Sequence, residues 1–223
     1  MAILTPMTAT AATDPAPTGR RERKKQRTRE ALIDAAFTLF VKKGFEATTV
    51  EEIADQVDVS SRTFFRYFSS KEDVVLTFQE EQFTAMKEAL AAQPPDMPVI
   101  TAMRNAGVDM MRACEEGAYG FDPERFICVQ QMMVSSPTLF GRSLEHGQKK
   151  QAEITRIIAD RMGVDPAVDM RPHVAAGTAG CAMHAAFDVW MRDGERSRPF
   201  SSVLDEVFAL IEEGLNYPSA AAS

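Results

Sequence analysis

One short segment constrains the fold of this chain more than any other, because it predicts two short helices joined by a tight turn. Thr49 and Glu52 form an S/T-x-x-E capping box, in which each side chain satisfies a backbone N–H at the start of a helix. Asp58 and Val59 then turn the chain, and Ser60 is placed to cap the next helix. The segment therefore predicts a helix-turn-helix.

The sequence on both sides of this segment has helical periodicity as well. Upstream, apolar residues recur at the spacing of one helix face: Leu32, Ala35, Ala36, Leu39 and Phe40. Downstream, a capping residue precedes a proline at Asp122–Pro123 and at Ser136–Pro137, which is typical of helix starts. The predicted helices cover roughly residues 24–44, 49–57, 61–67, 71–92, 99–114, 123–134, 137–162, 165–192 and 202–215. No stretch alternates convincingly enough for a sheet, so the sequence predicts an all-α fold of about nine helices.

Charge is distributed unevenly along the chain. The net charge of −7 would by itself argue against nucleic acid as a partner. Residues 20–72, however, hold twelve Lys or Arg against nine Asp or Glu, and seven of these cations lie within residues 20–29. Residues 73–223 hold thirteen against twenty-two. A cationic arm on an acidic body can bind DNA phosphates while the body stays away from them.

Composition and periodicity divide the chain into three parts. Residues 1–19 are rich in Ala, Thr and Pro without periodicity, and we expect them to form a disordered tail. Residues 20–72 combine the basic arm with the helix-turn-helix and are expected to form a DNA-binding domain. Residues 73–223 are expected to form a larger helical domain. The sequence therefore predicts a DNA-binding domain that is followed by a separate helical domain.

The second helix of the motif, predicted over residues 61–67, carries side chains of the kind that reach base edges and phosphates. These hydrogen-bond donors are Ser61, Arg62, Thr63 and Arg66. Ala54 is small where the two helices of the motif approach closely. A solvated helical bundle is the alternative interpretation, but caps, turn and spacing agree on a unit that lays its second helix in the major groove.

Two patterns of residues lie within residues 28–75. The first is LF…KGF…TTV, formed by Leu39-Phe40, Lys43-Gly44-Phe45 and Thr48-Thr49-Val50. The second is IA…VS…TFFRYF.SKE, formed by Ile53-Ala54, Val59-Ser60, Thr63 to Phe68 and Ser70-Lys71-Glu72. In residue type and spacing the segment resembles the TetR family of bacterial repressors. The resemblance implies an N-terminal three-helix DNA-binding domain and a larger C-terminal helical domain that binds a ligand and dimerises.

The resemblance also implies which side chains bind DNA. Backbone phosphates would be bound by Thr49, Ser60, Tyr67 and Lys71. Bases would be read by Arg62, Thr63 and Arg66, with Ser61 and, in the arm, Arg27 as further DNA-binding residues.

Two positions depart from the family pattern. Asp58 stands in the turn where the family often has glycine, and because Asp tolerates left-handed geometry better than most residues, we expect the turn to survive. Phe65 stands where the family usually has a tyrosine whose hydroxyl contacts a phosphate. Without that hydroxyl, packing is the expected role of Phe65.

Methionine is concentrated in the C-terminal part, where eleven of the thirteen lie. Its flexible, polarizable side chain can line a pocket that adapts to apolar ligands. Candidate pocket residues on the predicted central helices are Phe78, Met86, Met103, Met110, Phe126 and Met133. The alternative is that these residues are simply core. The family resemblance supports a pocket among the central helices without identifying any single residue.

The predicted helix that ends at Arg192 contains the stretch AAGTAGCAMHAA, whose small residues allow close approach of a second helix. In the family the last two long helices of each subunit form a four-helix dimer interface. The candidate interface residues are Ala176, Gly180, His184, Phe187 and Phe208. Close packing within one chain is the alternative.

Three further interpretations compete with that of a ligand sensor. His173, Cys181 and His184 lie on one predicted helix and could form a metal site, although structural zinc usually has four ligands in tighter clusters. Cys114 or Cys128 could act as a thiol redox sensor. No Ser/His/Asp arrangement or phosphate-binding glycine loop supports an enzyme. We therefore predict no catalytic residue, metal or cofactor.

The predicted function is that of a ligand-responsive repressor. It would bind a pseudo-palindromic double-stranded operator as a homodimer and be released by a small hydrophobic or acyl-CoA-like effector. The three widely spaced cysteines suit a reducing compartment, and the start of the sequence lacks the features of a secretory signal. No apolar run approaches the ~18 residues of a membrane span, so we expect a cytoplasmic protein without a membrane partner.

Overall fold

A computed structural model describes residues 19–193 and 197–215 of the chain. Within those residues it is all-helical, which confirms the predicted fold class, and it contains no strand. The helices are α1 Arg20–Lys43, α2 Val50–Gln56, α3 Ser61–Phe64, α4 Lys71–Ala91, α5 Val99–Glu116, α6 Pro123–Ser135, α7 Pro137–Met162, α8 Arg171–Arg192 and α9 Phe200–Glu213. A single 3-10 turn, Ala118–Gly120, precedes α6. None of the described helices is both long and apolar enough to cross a membrane.

The capping residues of the helix-turn-helix begin the helices that the sequence predicts for them. Thr49 Oγ1 accepts a hydrogen bond from the backbone N–H of Glu52, and Glu52 Oε2 accepts one from the N–H of Thr49. Ser60 Oγ accepts from the N–H of Thr63 at 3.3 Å. Asp58 has a φ of 55°, the left-handed conformation expected where the family often has glycine. The helix-turn-helix therefore forms as its caps and turn predict.

Helix boundaries differ from the prediction at three places. The basic arm is part of α1, which begins at Arg20 rather than near Lys24, because a run of Arg, Lys and Glu favours helix without any apolar periodicity. α3 ends at Phe64, so the residues up to Tyr67 form a turn. α8 begins at Arg171 rather than after Pro166. The predicted tail lies outside the described residues except for Gly19.

Two packed regions share the long helix α4. In the N-terminal region, α1, α2 and α3 enclose fully buried side chains: Leu32, Ala36, Ile53 and Phe64. In the C-terminal region, α5 packs against α4 and α9, and α8 packs against α7 and α9. α4 contacts α1 in the N-terminal region and packs along α5 and α7 in the C-terminal region, so it connects both regions. A shift of α4 would therefore affect both.

Candidate nucleic-acid interface and ligand cleft

The predicted DNA-reading side chains lie on the outer side of α3 and of the turn that follows it, and one aromatic residue anchors this helix. Phe64 is fully buried at the end of this helix. Arg62 and Arg66 are exposed, and Ser61 and Thr63 are partly exposed. A buried ring on one side of a four-residue helix turns its polar residues towards solvent, where they are accessible to a groove.

Several hydroxyl groups predicted to bind DNA already have intramolecular partners. Thr49 Oγ1 donates to Glu52 Oε2 at 3.1 Å in addition to its capping bond. Hydrogen bonds from Lys43 and from the Thr49 backbone lower the pKa of Glu52 to about 2, which keeps its carboxylate ionised. Ser60 Oγ lies 3.1 Å from Thr63 Oγ1. These hydroxyls therefore build the motif, and any hydrogen bond to a phosphate would be additional to that role.

Lys71 occupies a different environment from the one expected of a phosphate-binding residue. Its ammonium group donates to the backbone carbonyl oxygens of Phe45, Glu46 and Thr48 at 2.7, 3.3 and 3.0 Å. The nitrogen also lies 4.4 Å from the centroid of the Phe45 ring. All three donor protons are thus used within the chain. Lys71 fixes the start of α4 to the loop between α1 and α2.

Replacement of Lys71 by methionine is expected to lower the stability of the fold and to leave the salt dependence of DNA binding unchanged. The change leaves three carbonyl groups without their charged donor, which should reduce the free energy of unfolding by about 1–3 kcal/mol. Urea unfolding followed by circular dichroism measures this, with the exposed Lys42→Met as the matched control. An unchanged unfolding midpoint, together with a salt slope of DNA binding smaller by about one, would instead place Lys71 on a phosphate.

The first turns of α1 carry the strongest concentration of positive charge in the described chain. Residues 20–27 contain six Lys or Arg and a single acid, Glu22. All of them, including Arg27, are exposed, whereas burial in α1 begins at Leu32. This part of α1 is therefore a cationic surface that contributes nothing to the core.

Two arginines that no sequence pattern indicated link α1 to the C-terminal region. Arg125 of α6 donates from Nη2 to Asp34 Oδ1 at 2.6 Å, and its guanidinium carbon lies 5.3 Å from the centroid of the Phe37 ring. Arg29 of α1 donates from Nη2 to Thr77 Oγ1 of α4 at 3.4 Å. The first arginine connects α6 to α1, and the second connects α1 to α4.

A cleft of about 1060 Å³ runs along α4 between α1 and α5. Apolar side chains form part of its wall: Ala85, Ala89, Ala92, Met110, Ala113 and Phe121. Carboxylates form another part: Glu80, Glu81, Glu88 and Asp109, with Arg29 as the basic residue. Burial raises the pKa of Glu81, an effect that Arg125 and Arg29 oppose. The cleft is large enough for a drug-sized molecule and negatively charged along one side.

Only Met110 among the six candidate pocket residues lines this cleft. The other five pack in or against the hydrophobic core: Phe78, Met86, Met103, Phe126 and Met133. Phe78, for example, packs its ring against those of Phe37 and Phe121, each at a centroid distance of 6.3 Å. In the free chain these five are packing residues, and a ligand role for them would require the core to open.

Two family models match the chain. The model of bacterial regulatory proteins of the tetR family matches residues 32–77, and that of the MftR C-terminal domain matches residues 97–216. TcmR of Streptomyces glaucescens, an HTH-type transcriptional regulator, is 37% identical over 155 residues, which are 69% of each chain. The chain belongs to the TetR family.

Solved structures of low sequence identity share the TetR-family fold of this chain. FadR of Bacillus subtilis in complex with stearoyl-CoA has a TM-score of 0.54 at 19% identity, over 84% of this chain and 99% of that one. The SmeT–triclosan complex has a TM-score of 0.56 at 19% identity, over 82% and 91%. Its membership of the TetR family, shown by the family model and by TcmR, makes the chain a DNA-binding transcriptional regulator.

The candidate interface residues lie on α8 and α9, and two of them are buried within the chain itself. Ala176 and Phe208 are each only 2% exposed, because the chain's own core covers them. Gly180 and His184 are exposed, and Phe187 is half-buried. A Cβ at Gly180 would lie 3.6 Å from a side chain of α7, so the stripe of small residues also serves packing between α7 and α8.

The two cysteines considered as redox sensors in this TetR-type regulator are buried. Burial raises the pKa of Cys114 to about 11 and also raises the pKa of Cys128. A reactive cysteine needs its thiolate at neutral pH and access to the oxidant. Neither thiol meets these conditions, so the structure opposes the redox interpretation.

The residues considered as metal ligands do not come together in a site. His173 Nε2 lies 2.9 Å from the backbone oxygen of Pro166, and the ring of His184 packs against Phe140 at a centroid distance of 5.9 Å. Across residues 19–193 and 197–215, no three His, Cys, Asp or Glu side chains are grouped to hold a metal ion.

Proposed function

We propose that the chain is a ligand-responsive repressor that binds a pseudo-palindromic operator as a homodimer. Residues 20–72 would bind DNA, and residues 73–223 would bind the effector and dimerise. The observation that carries the proposal is the presence of two exposed cationic surfaces on a chain that is otherwise acidic. One is formed by Arg62 on α3 and Arg66 in the turn that follows it, and the other by the first turns of α1. A regulator of this kind acts on cytoplasmic DNA.

DNA binding would be divided between two surfaces. The cationic turns of α1 would bind backbone phosphates, a contribution that depends on salt and not on sequence. Arg62 would enter the major groove and donate two hydrogen bonds to a guanine, with Ser61 and Thr63 beside it on the DNA. This division predicts that α1 supplies affinity and that α3 supplies sequence preference.

The dimer would form through the outer face of α8 together with α9. Val174, Cys181, Ala185 and Val189 recur at the spacing of one helix face, and all four are exposed, Val174 at 61% and Val189 at 52%. Leu210 of α9 is 46% exposed. An apolar helix face of this length is typical of a surface that a second subunit covers. Two-fold symmetry would then present two recognition helices to one side of the DNA.

The effector would be a hydrophobic small molecule bound in the cleft along α4. The apolar wall supports such a ligand, and triclosan in the SmeT complex is an example from a protein of similar fold. Stearoyl-CoA in the FadR complex suggests an acyl-CoA instead. The carboxylates of Glu80, Glu81 and Glu88 would repel the phosphates of coenzyme A, so this cleft favours a ligand without a polyanionic head group.

Selection of duplexes from a random pool by the purified full-length protein tests the proposal. We expect enrichment of a site with two related half-sites. Arg62→Ala should weaken binding to that site by about 5- to 150-fold and relax preference at one position in each half-site. Arg171→Ala is the matched control, because it also removes an exposed arginine but one outside residues 20–72, paired with Asp169 at the start of α8. Failure to enrich any sequence would overturn the proposal.

The same protein–operator complex tests the effector. Hydrophobic compounds, triclosan and stearoyl-CoA are first screened for an increase in melting temperature, and those that bind are then added to the complex. Release of DNA by an uncharged hydrophobic compound supports the proposed cleft. Release by stearoyl-CoA alone would assign the effector to the acyl-CoA class and contradict the charge argument.

A further inference from the structure

The ring of Phe65 is left half exposed at the end of α3. Its exposed fraction is 54%, whereas the adjacent Phe64 is fully buried. The two rings pack edge to face, with centroids 5.6 Å apart and an interplanar angle of 88°. Phe64 thus anchors this end of the helix and supports the ring of Phe65 on its outer side. Phe65 therefore packs as expected on one side, but about half of its ring remains accessible to solvent.

Two exposed arginines lie next to this ring along the chain. Arg62 is three residues before Phe65, so the two side chains project from the same side of the helix. Arg66 follows directly, and its guanidinium carbon lies 5.1 Å from the centroid of the Tyr67 ring. Arg66 Nη2 also donates to Tyr67 Oη at 3.2 Å, which holds the guanidinium in place. The recognition surface is therefore both aromatic and cationic.

The major groove presents chemistry that is complementary to such a surface. Guanidinium groups pair with guanine edges or phosphates, and the apolar group on the base edges of this groove is the C5-methyl of thymine. A phenyl ring has no hydroxyl to donate to a phosphate, so an apolar contact is the favourable interaction that remains for Phe65. We propose that Phe65 reads a thymine methyl group in each operator half-site. The inference rests on the proposed function, because it assigns α3 to the major groove.

Deoxyuridine substitution tests this contact, because it removes only the methyl group of thymidine. Each thymine of the selected operator is replaced in turn by deoxyuridine, and affinity for the full-length protein is measured by fluorescence anisotropy. We expect one thymine per half-site whose methyl group matters, with affinity about fourfold weaker for one half-site and about 15-fold weaker for both. In Phe65→Ala the same replacement should have no further effect. Phe65→Tyr, which keeps the ring, should retain the dependence.

The outcomes separate this inference from the proposed function. If the protein enriches no operator, the proposed function fails. If an operator is bound but no thymine methyl affects affinity, or if its removal weakens Phe65→Ala as much as the wild type, the inference about Phe65 is overturned. The deoxyuridine scan of the wild-type protein needs no variant, so it decides the question even if Phe65→Ala does not fold.

Discussion

Removal of residues 1–27 is expected to lower operator affinity by on the order of 100-fold at low salt while leaving a folded protein. The deleted part of α1 contains six Lys or Arg, and a dimer would lack both copies of them. The negative slope of log affinity against log salt should also become shallower, by about 0.9 for every phosphate that the arm no longer neutralises. Folding should survive because burial in α1 begins only at Leu32. Anisotropy titrations between about 50 and 200 mM salt measure both effects.

A full-length variant separates charge from chain length in this experiment. Replacing the six Lys and Arg of residues 20–27 by glutamine keeps the length of α1 and residues of good helix propensity. It should reproduce the weaker affinity and the smaller salt slope of the truncated protein. If both variants bind as tightly as the wild type at low salt, the arm is a solvated helix end without a role on DNA.

Replacement of Arg125 by alanine is expected to remove most of the effector response. Phe121 lines the cleft and lies just before α6, and Arg125 on α6 pairs with Asp34 of α1. A ligand against Phe121 can therefore move α1 through this pair. Coupling between two sites is typically worth 5- to 150-fold in affinity, and we expect the variant to retain little of it. The measurement is operator affinity with and without a compound from the thermal-shift screen.

The stability of the Arg125 variant separates coupling from simple damage to the fold. The side chains of Asp34 and Arg125 are 64% and 31% exposed, and ion pairs accessible to solvent contribute only about 0–1 kcal/mol to stability. Operator affinity without effector and the melting temperature should therefore stay close to wild type. Arg171→Ala is the control for removing an arginine elsewhere. An Arg125→Ala protein that is still released by the compound as fully as wild type would exclude this route.

The parts of the fold that sequence predicts well are those specified by neighbouring residues. Thr49 with Glu52, Ser60 and Ser136 cap helices through groups three positions away, so their role is visible without tertiary structure. The left-handed conformation of Asp58 is equally local, because the tight turn needs it and Asp tolerates it better than most residues. In the helix-turn-helix, the resemblance to the TetR family and the capping and turn residues predicted the same structure.

The parts that sequence predicts poorly depend on distant segments. Lys71 meets carbonyl groups more than twenty residues earlier in the chain, and Arg125 meets Asp34 across 91 residues. No spacing rule brings these groups together. Abundant methionine indicated apolar helices correctly but could not distinguish a core from a cleft, because the same side chain suits both. Met103 and Met110 both belong to the hydrophobic core, but only Met110 also lines the cleft.

The start of α8 shows how a local signal can mislead. Asp165 followed by Pro166 has the form of a helix start, and Asp165 Oδ1 does accept from the N–H of Ala167. The chain nevertheless turns there, and Asp169 Oδ1 accepts from the N–H of Arg171 where α8 begins. Two similar capping signals lie within five residues, and α8 begins at the second of them.

The central claim, a dimer that reads a two-fold site through α3, is tested most directly by a hydroxyl-radical footprint on the selected operator together with the mass of the complex. We predict two protected half-sites on one side of the duplex, with centres about 34–36 Å apart, and two protomers bound. A footprint over a single asymmetric half-site with one protomer bound would contradict the claim.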